Sequence, residues 1–532
     1  MQQHVEIFDT TLRDGLQVEG VSASVDDKLR IAAQLDRLGV QYIEGGWPGA
    51  NPKDVEFFAR AQDELELTTS TLVAFGSTRR PRGKVDDDTT LRNLIEANTS
   101  AVCIVAKSSE YQVVEALKTT LDEGAAMIAD SVEYLRGQGR MVMVDLEHFF
   151  DGYTTNPEFS LRTIEAAVVN GASHLVLCDT NGGTLPHEVA QIVAEVKAHV
   201  KDDAIIGIHC HDDTGCAVAN SIAAVEAGAR HVQGTLNGLG ERTGNTNLTT
   251  VIPNLQLKMG YGCLPEGRLE LLTTSAHAVA ETLNRAVNPQ APYVGSSAFA
   301  HKAGLHVSAI ARAKDAYEHV DPNTVGNGTR FVVSEMAGRA TIQMKAEEIG
   351  IELDGLQTNA VIDDLKRLEH EGYHFEAADA SLELLMRRHA GAVPQYFRVE
   401  SMRVITDELP DGAFTTEATV KVWVGEGDDA QRHVWTAEGN GPVNAIDAAL
   451  RQAVTSAVPQ LADIHLTDFK VRILDGASAS ASTTRVLLSA TDGESDWTTI
   501  GVSPNIIEAS WRALEESLVY GLLRRGAAHV ID

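Results

Sequence analysis

Arg13 and Asp14 stand near the end of the strand-like segment IFDTTLRDG, and their types could do chemistry. Far along the chain, the segment GIHCHDD supplies His209 and His211. Side chains two residues apart on a strand point to the same side, so both imidazoles can reach one metal ion. With Asp14 as an oxygen ligand, this set would hold a divalent cation and leave coordination positions open for a substrate. Arg13 would stand beside the ion and stabilise an oxyanion.

Further polar residues could complete such a site. Glu147, in VDLEHFFDGY, could act as a base, orient a histidine or hold the substrate. Thr180 and Asn181, in CDTNGG, can donate hydrogen bonds to a substrate carboxylate, and Asn245 can add an amide oxygen to the metal. These ligand types admit Mg, Mn, Zn or Co, and the sequence does not choose among them. Each residue type is also common at packed or solvent-facing positions, so the hypothesis requires one fold that brings them together.

A repeated βα pattern predicts that fold. From the N-terminus to about residue 260, short β-branched runs alternate with amphipathic stretches of helical period. Eight parallel strands with helices between them, in about 250 residues, predict a TIM barrel, whose active site forms at the carboxyl ends of the strands. The candidate residues fall at such ends. The strand candidates are VEIFDTT, QYIEGGW, STLVAFG, AVCIVAK, VMVDLEH, HLVLCDT, AIIGIHCHD and HVQGTLN.

The pattern changes twice along the chain, which predicts three regions. Residues 1–265 are expected to form the TIM-barrel catalytic domain, and residues 266–395 a helical linker region. Residues 396–532 combine strand-like runs with two helices, as expected of a C-terminal α+β regulatory domain.

The last region contains an internal repeat of a strand, a turn and a helix. A unit duplicated in this way offers a ligand site between its two copies. A packing or dimerisation module without a ligand is the alternative. The recurring residues are Trp435, Gly439 and Pro442 in the first copy and Trp497, Gly501 and Pro504 in the second.

Charge and composition exclude several classes of partner. The net charge of −31 argues against nucleic acid and against an anionic membrane surface, since either would need a basic face. The N-terminus lacks a basic region followed by an apolar stretch, and no segment approaches the roughly 20 apolar residues of a membrane span. The five cysteines are scattered without CxxC spacing, as in a reducing compartment. We therefore expect a soluble cytoplasmic protein.

Taken in chain order, five motifs resemble the acetyl-CoA-dependent 2-oxo-acid condensing enzymes. This family contains the isopropylmalate, homocitrate and citramalate synthases of the DRE-TIM metallolyase superfamily. The resemblance covers the whole chain, and EGGWPGANPKD, LVAFGSTRR and EHFFDGY are most similar to the branch that makes citramalate. It implies condensation of acetyl-CoA with pyruvate and water, giving citramalate and free CoA. The motifs are DTTLRDG, LCDTNGG, GIHCHDD, GLGERTGN and AFAHKAGLH.

The resemblance also implies roles for the residues that match the family's motifs. The metal ligands would be Asp14, His209 and His211, with Asn245 as an additional ligand. The catalytic arginine would be Arg13.

The remaining implied roles involve the substrate and a second subunit. Glu147 matches the active-site glutamate, and Thr180 matches the contact to the substrate carboxylate. His306 matches the histidine that pairs with this glutamate in base or water activation, and Tyr317 matches a tyrosine after it. In relatives the last two come from the partner subunit, which implies a homodimer with shared active sites. Without the motif, His306 and His301 are equal candidates.

Several readings of the function remain open at this stage. The basic run TRRPRGK is interpreted as a solvated loop in which Arg80 lies nearest the pocket and binds substrate; contact with CoA phosphates is the alternative. Leu16 departs from the family's motif, so a synthase acting on another 2-oxo acid is possible. Related lyases place a cysteine in the loop that reads GLGERTGN here, and this loop has none. A metal-binding amino-acid sensor is the non-catalytic alternative.

For the regulatory domain we expect isoleucine as the effector, because citramalate feeds its synthesis.

Overall fold

Two compact units make up the chain. The computed structural model describes residues 3–201, 203–302, 309–310, 313, 316–333, 337–425, 430–474 and 482–527. The first unit comprises Met1–Phe299 with Glu318–Thr329, and the second comprises Ala300–Tyr317 with Arg330–Asp532. The boundaries at residues 265 and 395 stay predictions.

In the first unit, eight parallel strands close into a barrel in chain order. The last strand pairs with the first, with His231 opposite Glu6. Each of the eight predicted runs overlaps one strand, so the predicted TIM barrel is confirmed. The strands are β1 (Glu6–Asp9), β2 (Tyr42–Gly46), β3 (Thr71–Ser77), β4 (Ala101–Lys107), β5 (Met141–Glu147), β6 (His174–Asp179), β7 (Ile205–Cys210) and β8 (His231–Gly234).

Helices follow the barrel strands, and the first of them shows how their ends are set. The Ser24 hydroxyl accepts from the backbone N–H of Asp27, whose carboxylate accepts from the N–H of Ser24. Gly39 ends the helix with φ 96°, a conformation that favours glycine. The helices are α1 (Val25–Leu38), α2 (Pro52–Glu64), α3 (Thr89–Glu96), α4 (Leu121–Gly137), α5 (Phe149–Thr155), α6 (Pro157–Val169), α7 (Pro186–Val200), α8 (Ala217–Glu226), α9 (Leu248–Pro253) and α10 (Leu272–Thr282).

The inside of the barrel is apolar in the middle and polar at both ends. Phe8, Val73 and Met143 belong to one buried cluster of strand residues. Because side chains alternate between the two faces of a strand, Glu6 shares the interior face with Phe8, and Asp145 shares it with Met143. Glu6 begins its strand, whereas Asp145 lies towards the carboxyl end of its own. Polar groups therefore occupy both ends of the interior.

Among its described residues, the second unit contains a short parallel pair, three helices and two antiparallel sheets of three strands, each sheet followed by a further helix. The pair is β9 (Ala300–His301) and β10 (Arg330–Phe331), and the helices are α11 (Arg339–Glu348), α12 (Gly355–His370) and α13 (Asp379–His389). The first sheet and its helix are β11 (Arg398–Glu408), β12 (Phe414–Val424), β13 (Gln431–Gly439) and α14 (Pro442–Val454). The second set is β14 (His465–Ile473), β15 (Thr484–Thr491), β16 (Asp496–Ser503) and α15 (Ile506–Arg524).

The internal repeat is confirmed in the order of strands and helices, but its two tryptophans differ in environment. Trp435 lies in β13 and Trp497 in β16, and a helix follows each strand. Trp435 is 43% exposed, whereas Trp497 is buried and its indole N–H donates to the Ser517 hydroxyl over 3.0 Å. The two copies share a chain pattern without sharing the same packing.

Among the described residues, none of the helices has both the length and the apolar character required to cross a membrane.

Candidate active site

The carboxyl ends of β1 and β7 bring Asp14, His209 and His211 together. The Nε2 atoms of His209 and His211 lie 3.2 and 3.9 Å from the same carboxylate oxygen of Asp14. All three side chains are buried, and a set of one ligand atom from each lies within 4.8 Å. The two segments that contribute them are almost 200 residues apart in the chain, so closure of the barrel creates this cluster.

A hydrogen-bonded relay determines which nitrogen of His209 carries the proton. The Gln233 amide donates through Nε2 to Asp145 over 2.9 Å, so its Oε1 faces the imidazole as an acceptor. His209 Nδ1 lies 2.8 Å from this Oε1 and therefore donates to it. The lone pair of Nε2 is left facing Asp14. This is the tautomer that a metal-binding histidine needs.

Two buried atoms beside this cluster lack a hydrogen-bond partner among the described residues. They are Asn245 Oδ1 and His211 Nδ1. Asn245 and His211 face each other across an isolated antiparallel bridge, and the Asn245 amide nitrogen donates to the carbonyl of Leu239 over 3.2 Å. A buried acceptor without a partner is costly, and a cation would satisfy it. The residues present thus fit a divalent ion, and oxygen and nitrogen donors together admit Mg, Mn, Zn or Co.

At Asp14 and His211, the electrostatic environment favours the protonation states that metal ligands need. Burial alone would raise the pKa of Asp14, but the charge of the Arg13 guanidinium acts most strongly against it, and the pKa lies below its ordinary value. Burial, with the neighbouring His209, lowers the pKa of His211 to about 4. At neutral pH, Asp14 is therefore a carboxylate and His211 is a neutral imidazole.

Arg13 is held rigidly beside this cluster. Its Nε donates to Glu44 over 2.7 Å, its Nη1 lies 3.4 Å from Asp14, and its guanidinium carbon lies 3.8 Å from the centre of the Phe75 ring. Burial by itself lowers the pKa of Arg13, but the carboxylates of Glu44 and Asp14 outweigh this and keep it charged. Burial raises the pKa of Glu44 to about 7, against the effect of Arg13.

Sequence analysis did not identify four further site residues, each of which lies on a barrel strand: Glu44, Phe75, Asp145 and Gln233. The one local signal was an acidic or amide residue inside an otherwise apolar run such as QYIEGGW.

A cavity of about 220 Å³ at the mouth of the barrel is lined by six of the predicted residues, but not by Asn245. Glu147 lines it and forms an ion pair with Lys107. Thr180 lines it as well, and its hydroxyl accepts from the backbone N–H of His148 over 2.8 Å. The full lining is Arg13, Asp14, Gln17, Trp47, Phe75, Val105, Asp145, Glu147, Cys178, Thr180, His209, His211, Glu241 and Arg242.

A second cavity, of about 260 Å³, adjoins the first. Arg13, Gln17 and Trp47 line both of them. Leu16, the residue that departs from the family's motif, lines only the second cavity. It therefore lies next to the candidate site without entering the metal cluster.

Two predicted substrate contacts do not line the first cavity. Arg80 is exposed, and it is the preceding Arg79 that is buried, held by ion pairs to Glu123 and Asp130. The Asn181 side chain is exposed, and its amide donates to Asp151 over 2.6 Å. Their substrate contacts stay predictions.

The structure describes one of the two residues expected from a partner subunit. Tyr317 belongs to the second unit and is 49% exposed. His306 lies outside the described residues. Their roles stay predictions as well.

Comparison with known proteins decides the family. The family model described as HMGL-like matches residues 4–279. The (R)-citramalate synthase of Streptomyces coelicolor is 53% identical over 525 residues, which cover 98% of this chain and 97% of that protein. The chain belongs to the citramalate synthase family. The membership predicted from the motifs is thereby confirmed, and the protein is an enzyme of the acyltransferase type.

Other matches extend over the whole chain. The (R)-citramalate synthase of Aquifex aeolicus is 50% identical, covering 98% of this chain and 99% of that one. A probable 2-isopropylmalate synthase of Methanopyrus kandleri is 33% identical, covering 96% and 97%. The models named Homocitrate synthase post-HMGL domain-like and LeuA allosteric (dimerisation) domain match residues 293–373 and 376–522. The two (R)-citramalate synthases named above therefore match this chain more closely than this isopropylmalate synthase does.

Solved structures resemble part of the chain. The hydroxymethylglutaryl-CoA lyase of Pseudomonas aeruginosa is 20% identical with a TM-score of 0.46, covering 54% of this chain and 95% of that one.

Proposed function

We propose that this enzyme condenses acetyl-CoA with pyruvate and water to give (R)-citramalate and free CoA. A carbon–carbon bond forms between the methyl carbon of the acetyl group, which loses a proton, and the ketone carbon of pyruvate, whose oxygen becomes a hydroxyl. Water then cleaves the thioester and releases the CoA thiol. Support comes from the relatives named (R)-citramalate synthase and from one observation, the convergence of Asp14, His209 and His211 beside Arg13.

Asp14, His209, His211 and Asn245 would hold the divalent cation. When bound, the cation polarises the ketone of the 2-oxo acid towards attack. Arg13 presents a fixed positive charge at the same cavity, which suits the oxygen that becomes negative as the new bond forms. We assign Arg13 to that oxyanion, because Glu44 and Phe75 fix its plane before substrate arrives.

The other predicted residues are assigned to the substrate and to proton transfer. Thr180 lines the cavity and would bind the pyruvate carboxylate, with Asn181 and Arg80 as further substrate contacts. Glu147 would act with His306 and Tyr317 of the partner subunit to activate the methyl group or the water. Because Lys107 pairs with Glu147, the carboxylate is held at the cavity wall.

A panel of 2-oxo acids tests the proposed reaction. Thiol release is expected only when pyruvate, acetyl-CoA and a divalent ion are all present, with citramalate as the product. A chelator should stop the release, and restored metal should return it. Thiol release with 2-oxoisovalerate or 2-oxoglutarate, and none with pyruvate, would contradict the proposal and indicate a related synthase that acts on another 2-oxo acid.

The Gln233 relay gives a second prediction, on metal affinity. Replacing Gln233 with leucine removes the acceptor that keeps the proton on His209 Nδ1, so the metal concentration for half-maximal turnover should rise ~10–100-fold. Gln191→Leu is the matched control, because the Gln191 amide donates to Glu195 on the outer helix α7, away from the cavity lining, and its loss should leave metal dependence unchanged. An unaltered metal dependence in Gln233→Leu would contradict the relay.

We also propose that the protein is a homodimer with shared active sites. The C-terminal region matches a domain model whose name includes dimerisation. Phe469, Val471 and Ile473 alternate along the edge strand β14 and are 40%, 44% and 61% exposed. Alternate residues share one face of a strand, so these side chains form an apolar surface of the kind that favours association.

Isoleucine is proposed as the feedback effector of the C-terminal domain, and the cytoplasm as the location. The duplicated sheet-and-helix unit and the match to an allosteric domain model support the effector. Calorimetry of the full chain should give a saturable heat with isoleucine, and isoleucine should inhibit thiol release. Alanine is the control, because it shares the charged groups but lacks the branched side chain. No heat and no inhibition with either isoleucine or leucine would leave the domain without a branched-chain effector.

A further inference from the structure

A second cluster of metal-ligand types lies at the opposite end of the barrel from Asp14. Glu6, His174 and His231 are the first residues of β1, β6 and β8. They therefore share the amino end of the strands, whereas the active site occupies the carboxyl end. The buried residues Phe8 and Met143 lie further along the interior, between the two ends. The proposed reaction makes no use of this cluster.

The three side chains converge on a single oxygen atom. His174 Nε2 lies 2.8 Å and His231 Nδ1 lies 3.4 Å from the same carboxylate oxygen, Glu6 Oε2. The two imidazole ring centres are 4.9 Å apart. Both histidines are buried, while the Glu6 side chain keeps 22% of its surface exposed, which leaves a route to solvent.

The hydroxyl of Ser173 determines the protons on His174. Ser173 has a single hydroxyl proton, which it donates to the carbonyl of Val142 over 2.9 Å. Its oxygen therefore accepts from His174 Nδ1, 2.9 Å away. In the neutral imidazole, Nε2 is then a bare lone pair aimed at the carboxylate of Glu6. Two electron-rich atoms at hydrogen-bond distance require a positive charge between them, either a second proton or a metal ion.

His231 adds a second nitrogen to the same point. Burial, the largest effect, and the neighbouring His174 lower its pKa to about 4, so its ring is neutral at pH 7. Its Nε2 is buried and makes no hydrogen bond with any described residue. Tyr42 packs its ring 5.8 Å from both imidazole rings and shields them from water.

We propose that Glu6, His174 and His231 bind a divalent transition-metal ion of the zinc class at the base of the barrel. Two imidazoles and one carboxylate suit zinc better than magnesium or calcium, which prefer oxygen ligands. The ion would link β6 to β1 and β8. It would lie at the amino end of the strands, where bound groups contribute to the stability of the barrel. Because this site takes no part in turnover, the zinc proposal does not depend on the proposed function.

Zinc retention in a variant without the active-site ligands tests the proposal. The full chain carrying His209→Ala and His211→Ala, stripped with a chelator and then dialysed against zinc, is expected to retain about one zinc ion per chain. Bound zinc should raise its melting temperature by several degrees relative to the stripped form. Adding Glu6→Gln to this background should abolish both effects. Adding Glu165→Gln is the matched control, because it makes the same acid-to-amide change in an exposed pair with His199 between the outer helices α6 and α7, and it should preserve both.

A second ligand variant tests the site if the variant with Glu6→Gln does not fold. Adding His174→Gln to the same background should equally abolish zinc retention and the shift in melting temperature. The proposal is overturned if the starting variant retains no zinc, or if zinc retention persists in either ligand variant. In that event a proton on His174 supplies the positive charge, and the cluster is a hydrogen-bonded tie between strands.

Discussion

Replacing His209 with alanine is expected to abolish release of the CoA thiol while the barrel stays folded. His209 presents its Nε2 lone pair to the metal cluster, 3.2 Å from Asp14, and its loss leaves the cation with one imidazole. Polarisation of the ketone by a metal is worth several kcal/mol, so turnover should fall at least ~10³-fold. Thiol release, measured with saturating pyruvate and acetyl-CoA across a metal titration, gives the loss. Circular dichroism and thermal melting confirm the fold.

His187→Ala is the matched control for this variant. His187 is an exposed histidine on α7, outside the cavity lining, so its loss should leave turnover unchanged. Retained turnover in His209→Ala at ordinary metal concentrations would show that the cluster with Asp14 does not hold the catalytic ion. Loss of turnover together with loss of the folded state would instead point to a packing role for the imidazole.

Replacing Arg13 with lysine is expected to lower kcat ~10²–10³-fold with little change in the KM for pyruvate. Lysine keeps the charge but loses the planar fork, so it cannot donate to Glu44 through a fixed Nε–H or stack on Phe75. The charge would no longer be fixed where the oxyanion forms. Because this interaction strengthens as the reaction proceeds, its loss should appear in kcat rather than in KM. Steady-state rates with varied pyruvate separate the two constants.

Arg79→Lys is a suitable comparison, because Arg79 is also a buried arginine with two carboxylate partners. It does not line the cavity, so its substitution should reduce stability without changing kcat per folded molecule. If the Arg13 and Arg79 variants lose the same fraction of kcat, or if the Arg13 variant raises only KM, Arg13 does not stabilise the developing oxyanion.

Much of the barrel and of its metal cluster could be predicted from local sequence. Alternating β-branched and helical segments specify eight strands, because the period of apolar residues is a property of each segment. The spacing of His209 and His211 places both imidazoles on one face of their strand. Because Arg13 and Asp14 stand near the end of another strand, the cluster is expected at the mouth of the barrel. Predictions for single residues were weaker where similar residues stand next to each other in the sequence. In the run TRRPRGK, for example, the sequence does not distinguish the buried Arg79 from the exposed Arg80.

The sequence by itself determined the fold class, the family and the ligand types, because these depend on residue identity and short-range spacing. Tertiary structure alone decided the partners of those residues: Glu44 and Phe75 around Arg13, and Gln233 behind His209. These contacts join different strands and strand ends of the barrel, and their register depends on how the closed barrel aligns its strands. The same closure brings Glu6 to His174 and His231 at the other end, where no motif marks them.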